Sequence, residues 1–352
     1  MAATVRYELE PYLDDLEERI DDAVETDLFA QWTDFVWDRW DDDVFSPKRP
    51  ASAPPRISWP QVTVNEALDD EDAMILQQLG SCSQMLEQGT GGILCVRCNY
   101  GTGILPSLFG ARIYRMPPEL NTLPTAVPFP DGLDAALALL DRGVPELTAG
   151  QGGQVLALGE RFQALLAERP LLQRHVHLYH PDLQGPIDVC ELLVGCDLFT
   201  AILERPDCME QVLDLITTTY IRFMRAWHAI APPMADVAVH WSLLHRGTVM
   251  LRDDSAMNLS PDLFETFIRP YDQRVLEAFG GGAMHFCGRG DHYIGQAAEM
   301  TGLYAVNLSQ PEYNDMETIY RSTIDRDIAL LGLPRAAVDA ADRPLHGRVH
   351  TW

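Results

Sequence analysis

Buried strands and amphipathic helices alternate along the sequence from residue 91 onward, and this alternation constrains the fold more than any other feature. Residues 91–101 and 303–308 read as apolar strands, whereas apolar side chains spaced three or four apart predict a long helix at 207–230. Repeated strand–helix units favour a parallel sheet covered by helices. Because no dinucleotide-binding Gly-x-Gly-x-x-Gly signature is found, we expect a closed barrel rather than a doubly wound sheet.

The predicted fold is of the α/β class, a single (β/α)8 TIM-type barrel over residues 61–352. An acidic N-terminal extension, residues 1–60, precedes it. Apolar residues at helical spacing make residues 7–43 helical, and prolines make 46–60 an extended connector. We expect the extension to be a cap or a partner-contacting arm, although a plain surface helix gives the same pattern.

The net charge of −26 makes nucleic acid and anionic membranes poor partners. No apolar run of about 20 residues is present, so no membrane-spanning helix is expected. Seven scattered cysteines and an acidic N-terminus without a signal-peptide core indicate a cytoplasmic protein. Lys48 is the only lysine, and its proline-rich surroundings make Schiff-base chemistry a poor interpretation.

A candidate metal site lies in residues 280–292, which read as a buried strand running into a glycine-rich loop. Side chains alternate along a strand, so His285 and Cys287 point to the same face. An imidazole and a thiol on one face supply half of a zinc site. A satisfied buried histidine beside a core cysteine is the alternative interpretation.

Polar residues at the predicted strand exits should meet at one mouth of the barrel, where barrel enzymes bind substrates. Three carboxylates there are candidate catalytic groups, namely Asp182, Asp254 and Glu312. The candidate substrate-binding residues are Asn99, Tyr100, His240, Asn307 and, in the glycine-rich loop, Arg289.

Several ordered motifs resemble those of the uroporphyrinogen decarboxylase superfamily over roughly residues 90–335. They are Leu-Gln-Gly-Pro at 183–186, Ala-Ile-Leu-Glu-Arg-Pro at 201–206, Asp-Asp-Ser-Ala-Met-Asn-Leu-Ser-Pro at 253–261 with Phe264 and Pro270-Tyr271, and His-Phe-Cys-Gly at 285–288. The resemblance implies a single (β/α)8 barrel, in agreement with the alternating pattern.

Two branches of that superfamily compete. Uroporphyrinogen decarboxylases carry an N-terminal Arg-Gln-Ala-Gly-Arg motif that grips the substrate carboxylates, and this chain has none. Methylcobamide:thiol methyltransferases, the coenzyme M type, use His-x-Cys and a later cysteine to hold a zinc ion that activates a thiol. His285 and Cys287 match the first part of that motif, so the resemblance favours the methyltransferase branch.

No cysteine follows Cys287, and His350 occupies about the place of the later ligand. Histidine binds zinc as well as thiolate does, so His350 is the expected third ligand, with Asp254 or Glu312 as alternatives. The resemblance implies zinc and a corrinoid (cobalamin) methyl carrier, with the corrinoid on a partner protein.

Under this hypothesis Asp254 and Glu312 orient or deprotonate a small-molecule acceptor. A homodimer to which residues 7–43 contribute is also expected. Two other functions remain open. In the first, a cofactor-independent decarboxylase uses Asp182 or Asp254 to stabilise a protonated pyrrole ring. In the second, a non-catalytic barrel holds a corrinoid or tetrapyrrole for a partner.

Overall fold

The computed structural model describes residues 7–352. Its α-helices are α1 Glu10–Arg19, α2 Asp22–Val36, α3 Val64–Asp69, α4 Glu71–Gln88, α5 Ile104–Leu108, α6 Gly132–Leu137, α7 Gly152–Ala167, α8 Pro170–His175, α9 Pro186–Val194, α10 Asp197–Glu204, α11 Pro206–Ile230, α12 Pro261–Phe267, α13 Arg269–Ala278, α14 Ile294–Ala297, α15 Met316–Ser322 and α16 Arg335–Asp339. Its strands are β1 Cys95–Val96, β2 Arg112–Tyr114, β3 Thr125–Val127, β4 His177–Leu178, β5 Val237–His240, β6 Leu243–Arg246, β7 Val249–Arg252, β8 Gly282–Phe286, β9 Leu303–Leu308, β10 Ala329–Leu333 and β11 Val349–Thr351. Short 3-10 helices lie at Pro118–Leu120, Asp254–Asn258, Pro311–Tyr313 and Ile324–Arg326.

Five strands form one parallel sheet in the order β11-β10-β9-β8-β7, and β1 and β4 form a separate parallel pair. The other strands form two antiparallel pairs, β2–β3 and β5–β6. The α/β class predicted from the alternating pattern is therefore confirmed. The predicted closed eight-stranded barrel is not shown, because within residues 7–352 β4 does not pair with β7 and β11 does not pair with β1.

Other segments satisfy backbone groups at both interruptions. Between β4 and β7, Nε2 of His180 accepts a hydrogen bond from the backbone N–H of Met250 at 3.0 Å. Beside β11, the backbone of Phe45 donates to Val349 and accepts from Thr351, each at 2.9 Å. A side chain and a short N-terminal segment thus satisfy backbone groups that a neighbouring strand would satisfy in a regular barrel.

The parallel sheet has an outer face covered by helices and an inner face. On β8, Met284 packs outward into the main core, while Ala283 and His285 point inward. The strand register places Ala283 beside Ala305 of β9, and Ala305 beside Ala329 of β10. These small residues leave room on the inner face for the β5–β6 hairpin, whose apolar side chains join the same buried cluster.

The described part of the N-terminal extension, residues 7–60, packs into the body of the protein. The helical pattern predicted over 7–43 is divided into α1 and α2, because Ile20 has an extended conformation and the side chain of Asp21 caps α2. Leu13 and Leu16 are fully buried in the main core, and Trp32 is buried with the inner-face cluster. The domain boundary at residue 60 stays a prediction.

Two predicted strands differ from the observed elements. The strand at 91–101 is reduced to β1, since the chain turns into the loop that carries Asn99. The strand at 236–241 is β5, but it pairs antiparallel with β6 instead of joining the parallel sheet. His240 therefore lies at the inner end of a hairpin, not at the exit of a parallel strand. None of the helices in residues 7–352 is long and apolar enough to cross a membrane.

Candidate metal centre

Three potential metal ligands converge at the end of the inner face. A carboxylate oxygen of Asp254, a ring nitrogen of His285 and the Sγ atom of Cys287 all lie within 4.8 Å of one another. The Sγ atom is 3.5 Å from Nε2 of His285, and Oδ1 of Asp254 is 3.8 Å from the same nitrogen. The pairing of His285 with Cys287 that strand alternation predicts is thus present.

The strand register explains why these residues meet. Arg252 at the end of β7 lies beside His285, and His285 lies beside Asn307 of β9. Asp254 comes two residues after Arg252, and Cys287 comes two residues after His285. Because side chains two positions apart in a strand share a face, both are directed to the inner side. The backbone N–H of Cys287 donates to Oδ1 of Asp254 at 2.8 Å, which ties the two strand exits together.

Asn307 fixes the orientation of the His285 ring. Its Nδ2 donates to the carbonyl of Leu331 at 2.7 Å, so its Oδ1 faces Nδ1 of His285 at 2.6 Å. Nδ1 must therefore carry the proton, and Nε2 keeps a free lone pair toward Cys287. Burial also lowers the pKa of His285, which keeps the imidazole neutral at pH 7. Asn307, predicted as a substrate-binding residue, is placed here as the partner of His285.

The thiol of Cys287 is half-buried between polar groups. Its Sγ lies 3.5 Å from the Ser309 hydroxyl. Burial raises the pKa of this thiol, so it is protonated at neutral pH unless a cation displaces the proton. Asp254 is held as well, because Gln184 donates an amide hydrogen to its Oδ2 at 3.3 Å.

Asp188 of α9 positions the loop that carries Asp254. Its carboxylate accepts from the backbone N–H groups of Asp254 and Ser255 at 2.9 and 2.8 Å. Burial, together with the charge of Asp254, raises the pKa of Asp188 to about 7. Neither Asp188 nor Gln184 is among the predicted site residues. Both lie within six residues of the predicted catalytic residue Asp182, in the same stretch of the sequence.

The donor set fits zinc. Imidazole nitrogen, thiolate sulfur and carboxylate oxygen are the three ligand types found in zinc sites, and three protein ligands are typical of catalytic sites. The Asn307 contact supplies the hydrogen-bond partner that ligating histidines usually have. The group therefore has both the ligands and the supporting contact that a zinc ion requires.

His350 lies outside this group. Its Nδ1 accepts a hydrogen bond from the backbone N–H of Gly332 at 3.0 Å, and its ring lies 4.6 Å from that of Trp32 and 4.6 Å from that of Trp352. Burial lowers its pKa to about 3. The structure thus brings Asp254, the alternative ligand, to the place expected for His350.

A buried ion-pair cluster lies next to the candidate metal centre. Asp182 pairs with Arg97 and with Arg252, whose Nη1 is 3.1 Å away, and Nε2 of His240 is 3.5 Å from its carboxylate. Burial, the largest single effect, raises the pKa of Asp182, but the charges of Arg97 and Arg252 and the contact with His240 together outweigh it, so the net pKa is lowered. Asp182 is therefore a carboxylate at all physiological pH values, whereas burial lowers the pKa of His240 to about 3 and keeps its ring neutral.

The other predicted residues have different surroundings. Tyr100 is buried in the main core, where burial raises its pKa. The backbone N–H of Asn99 contacts Met74 of α4. Arg289 is exposed and pairs with Asp291, and Glu312 is exposed on the turn Pro311–Tyr313. None of these four contacts Asp254, His285 or Cys287 through a hydrogen bond or ion pair within the described residues.

Comparisons with known proteins support the fold. No protein-family model matches the chain, and a comparison with curated proteins gives no match. Among solved structures, the chain is similar to a methyltransferase from Methanosarcina mazei, with 16% sequence identity and a TM-score of 0.65. The match covers 92% of this chain and 92% of that chain. The two proteins therefore share a fold over almost their whole lengths.

Proposed function

We propose that the protein is a zinc-dependent methyltransferase of the uroporphyrinogen decarboxylase superfamily. It moves a methyl group between a corrinoid and a thiol or similar acceptor. The observation that carries the proposal is the convergence of Asp254, His285 and Cys287 within 4.8 Å. The shared fold with a solved methyltransferase supports the same class of reaction.

In this proposal His285, Cys287 and Asp254 would hold the zinc ion. Asp254 would then be a ligand instead of the residue that orients or deprotonates the acceptor. When bound, zinc supplies a Lewis acid that lowers the pKa of an acceptor thiol, and the thiolate is the nucleophile in methyl transfer. Asn307 holds the His285 ring with Nε2 available, and Asp188 holds the backbone of Asp254 in place.

Arg252, which lies in register beside His285, brings positive charge near the thiol of Cys287. Burial and the carboxylate of Asp254 raise the pKa of Cys287, whereas the charge of Arg252 lowers it. The guanidinium would also stabilise negative charge on a thiolate next to the metal centre. Asp182 neutralises part of this charge, while Arg97 adds a second cation, so the Arg97–Asp182–Arg252 cluster keeps a net positive charge.

A decarboxylase is the second candidate, and the burial of Asp182 favours it. A permanently ionised carboxylate could stabilise a protonated pyrrole ring while carbon dioxide leaves. Conversion of uroporphyrinogen to coproporphyrinogen by the purified protein, lost in Asp182→Asn and retained in Cys287→Ala, would support this candidate over methyl transfer.

Partner and compartment are further parts of the proposal. We place the corrinoid on a partner protein and the reaction in the cytoplasm. The seven free cysteines support a reducing compartment. The homodimer can be tested by light scattering of the purified protein.

The test measures zinc content and methyl transfer from methylcobalamin to 2-mercaptoethanol. The wild-type protein should bind one zinc ion per chain and demethylate the cobalamin. His285→Ala and Cys287→Ala should lose both properties. Stoichiometric zinc that survives both substitutions would remove this mechanism.

His350→Asn is the matched control, because the Asn side chain can still accept the hydrogen bond from Gly332. The proposal expects this variant to keep one zinc ion per chain. Loss of zinc in His350→Asn together with a native fold would show that His350, not Asp254, completes the ligand set.

A further inference from the structure

The β5–β6 hairpin fills the lower part of the inner face. Leu243 and Leu244 of β6 are buried in one cluster with Ala283, Ala305 and Ala329 of the parallel strands. Larger side chains at these alanine positions would occupy the space that the hairpin takes. The hairpin is thus an internal plug whose tip points toward the metal centre.

The tip of the hairpin has a strained backbone. His240 pairs with Leu243, so Trp241 and Ser242 form a two-residue turn. Both have positive φ, 48° for Trp241 and 64° for Ser242. Turns of this kind favour Asn and Gly, and a bulky residue with positive φ is a rare outlier that marks a turn under constraint. Such strain persists only where the surroundings impose it, and it clusters at functional sites.

Contacts from the start of β1 hold the turn in place. The backbone N–H of Ile93 donates to the carbonyl of Ser242 at 2.9 Å. The Ser242 hydroxyl lies 3.4 Å from Sγ of Cys95 and 3.5 Å from Sδ of Met85. These contacts hold Ser242, the second residue of the turn, and so restrict where the adjacent Trp241 can lie.

The indole of Trp241 reaches the metal centre. Its ring lies 4.7 Å from that of His285, at an interplanar angle of 80°, and Cζ of Arg252 is 4.9 Å from its centroid. Trp241 is only half-buried although it lies at the tip of an internal hairpin, so part of its surface is accessible. The indole is therefore a wall between the metal centre and the plugged part of the inner face.

We propose that Trp241 is a specificity-determining residue that forms the floor of the acceptor pocket and limits the acceptor to a small thiol. This inference rests on the proposed function, since it assigns an acceptor size to the same site. The plug closes the pocket from below, so the acceptor must approach from the strand exits. A bulky thiol would meet the indole before its sulfur reached the metal centre.

The test compares a small thiol, 2-mercaptoethanol, with a bulky one, benzyl mercaptan, in wild type, Trp241→Ala and Trp241→Phe. Thiol binding to the cobalt-substituted protein is followed by the sulfur-to-cobalt absorption band, and kcat/KM is measured with methylcobalamin. We compare the value for benzyl mercaptan with the value for 2-mercaptoethanol, both for thiol affinity and for kcat/KM. Removing the indole should raise each of these ratios about tenfold or more, because pocket volume sets discrimination of this size. Trp241→Phe should give a smaller rise of about threefold.

Trp37→Ala is the matched control, because Trp37 packs against Arg246 at the other end of the same hairpin, with Cζ 4.6 Å from the ring centroid. It should leave the thiol ratio unchanged, and all three variants should keep the cobalt affinity of the wild type. Equal rises in Trp37→Ala and Trp241→Ala would overturn the floor role, since loosening of the hairpin would then explain both.

The two proposals can fail separately. A wild-type protein that binds both thiols equally well would contradict the role of Trp241 even if methyl transfer were rapid. Size-dependent thiol binding that disappears in Trp241→Ala, without methyl transfer by the wild type, would support the pocket and remove only the proposed reaction.

Discussion

His285 and His350 lie on strands of the same parallel sheet, and both are almost fully buried, yet their surroundings differ completely. His285 contacts a carboxamide, a thiol and a carboxylate. His350 lies among aromatic rings, including Phe45 with its centroid 5.8 Å away. One environment suits a metal ligand and the other suits a core residue.

The hydrogen bond to Nδ1 makes the difference. Oδ1 of Asn307 accepts a hydrogen bond from Nδ1 of His285, so the proton lies on Nδ1 and Nε2 is free to bind a cation. The Gly332 backbone donates to Nδ1 of His350, so that lone pair is used and the proton lies on Nε2. A histidine at a strand exit is therefore not a metal ligand by position alone. The hydrogen bond made by one ring nitrogen decides whether the other nitrogen has a lone pair free to bind a metal.

The largest predicted effect separates these two histidines. His285→Ala removes one of three ligands, and we expect cobalt affinity to fall by about a thousandfold or more. His350→Asn should change it by less than about threefold. Titration with Co²⁺ measures both. Equal losses would show that the sheet environment, not the ligand set, controls metal binding.

Asn307 should have the next largest effect. Asn307→Ala leaves the His285 ring without its partner, and cobalt affinity should fall by about 10–100-fold, as expected for such a supporting contact. Asn307→Asp keeps an acceptor at Nδ1 of His285 and is the control. If Asn307→Ala binds cobalt as tightly as wild type, the tautomer of His285 is not set by Asn307.

The pH dependence of stability should reveal His350. Its pKa is about 3 in the fold, against about 6.5 in the unfolded chain, so the unfolded state binds the proton first. Its stabilising contribution is present above pH 6.5 and is lost as the pH falls toward 3, with a slope of up to about 1.4 kcal/mol per pH unit. Urea unfolding of the metal-free protein should therefore show a shallower pH dependence in His350→Asn than in wild type. Identical slopes would mean that His350 takes up its proton over the same pH range in the fold as in the unfolded chain.

Ser309 should have the smallest effect. Its contact with Cys287 is a weak sulfur–oxygen hydrogen bond, so Ser309→Ala should lower cobalt affinity by only about threefold or less. A loss as large as that of Asn307→Ala would assign Ser309 a direct role in ligand binding. Thermal unfolding in the metal-free state provides the control for a folding defect.

Part of this site can be predicted from the sequence. Alternation along β8 places His285 and Cys287 on one face, and that face is the inner one. The choice of third ligand depends on which loops meet, and this is decided by the register that sets Arg252 beside His285. A single sequence does not contain that register, so His350 and Asp254 could not be separated by spacing alone.

The hairpin shows a second limit. Residues 236–246 have the apolar character of barrel strands, but Trp241 and Ser242 lack the Asn-Gly signature that would indicate a tight turn. Tertiary contacts impose the turn instead, through Ile93 and Met85. The helices of the N-terminal extension were predictable from their periodicity, whereas their burial against the core depends on partners far along the chain.

X-ray absorption at the zinc edge tests the central claim most directly. The account predicts one sulfur at about 2.3 Å and nitrogen or oxygen ligands at about 2.0–2.2 Å in the wild-type protein, and no bound-zinc signal in Cys287→Ala. A zinc ion with no sulfur neighbour, or a spectrum unchanged by Cys287→Ala, would contradict the assignment of Asp254, His285 and Cys287 as the metal centre.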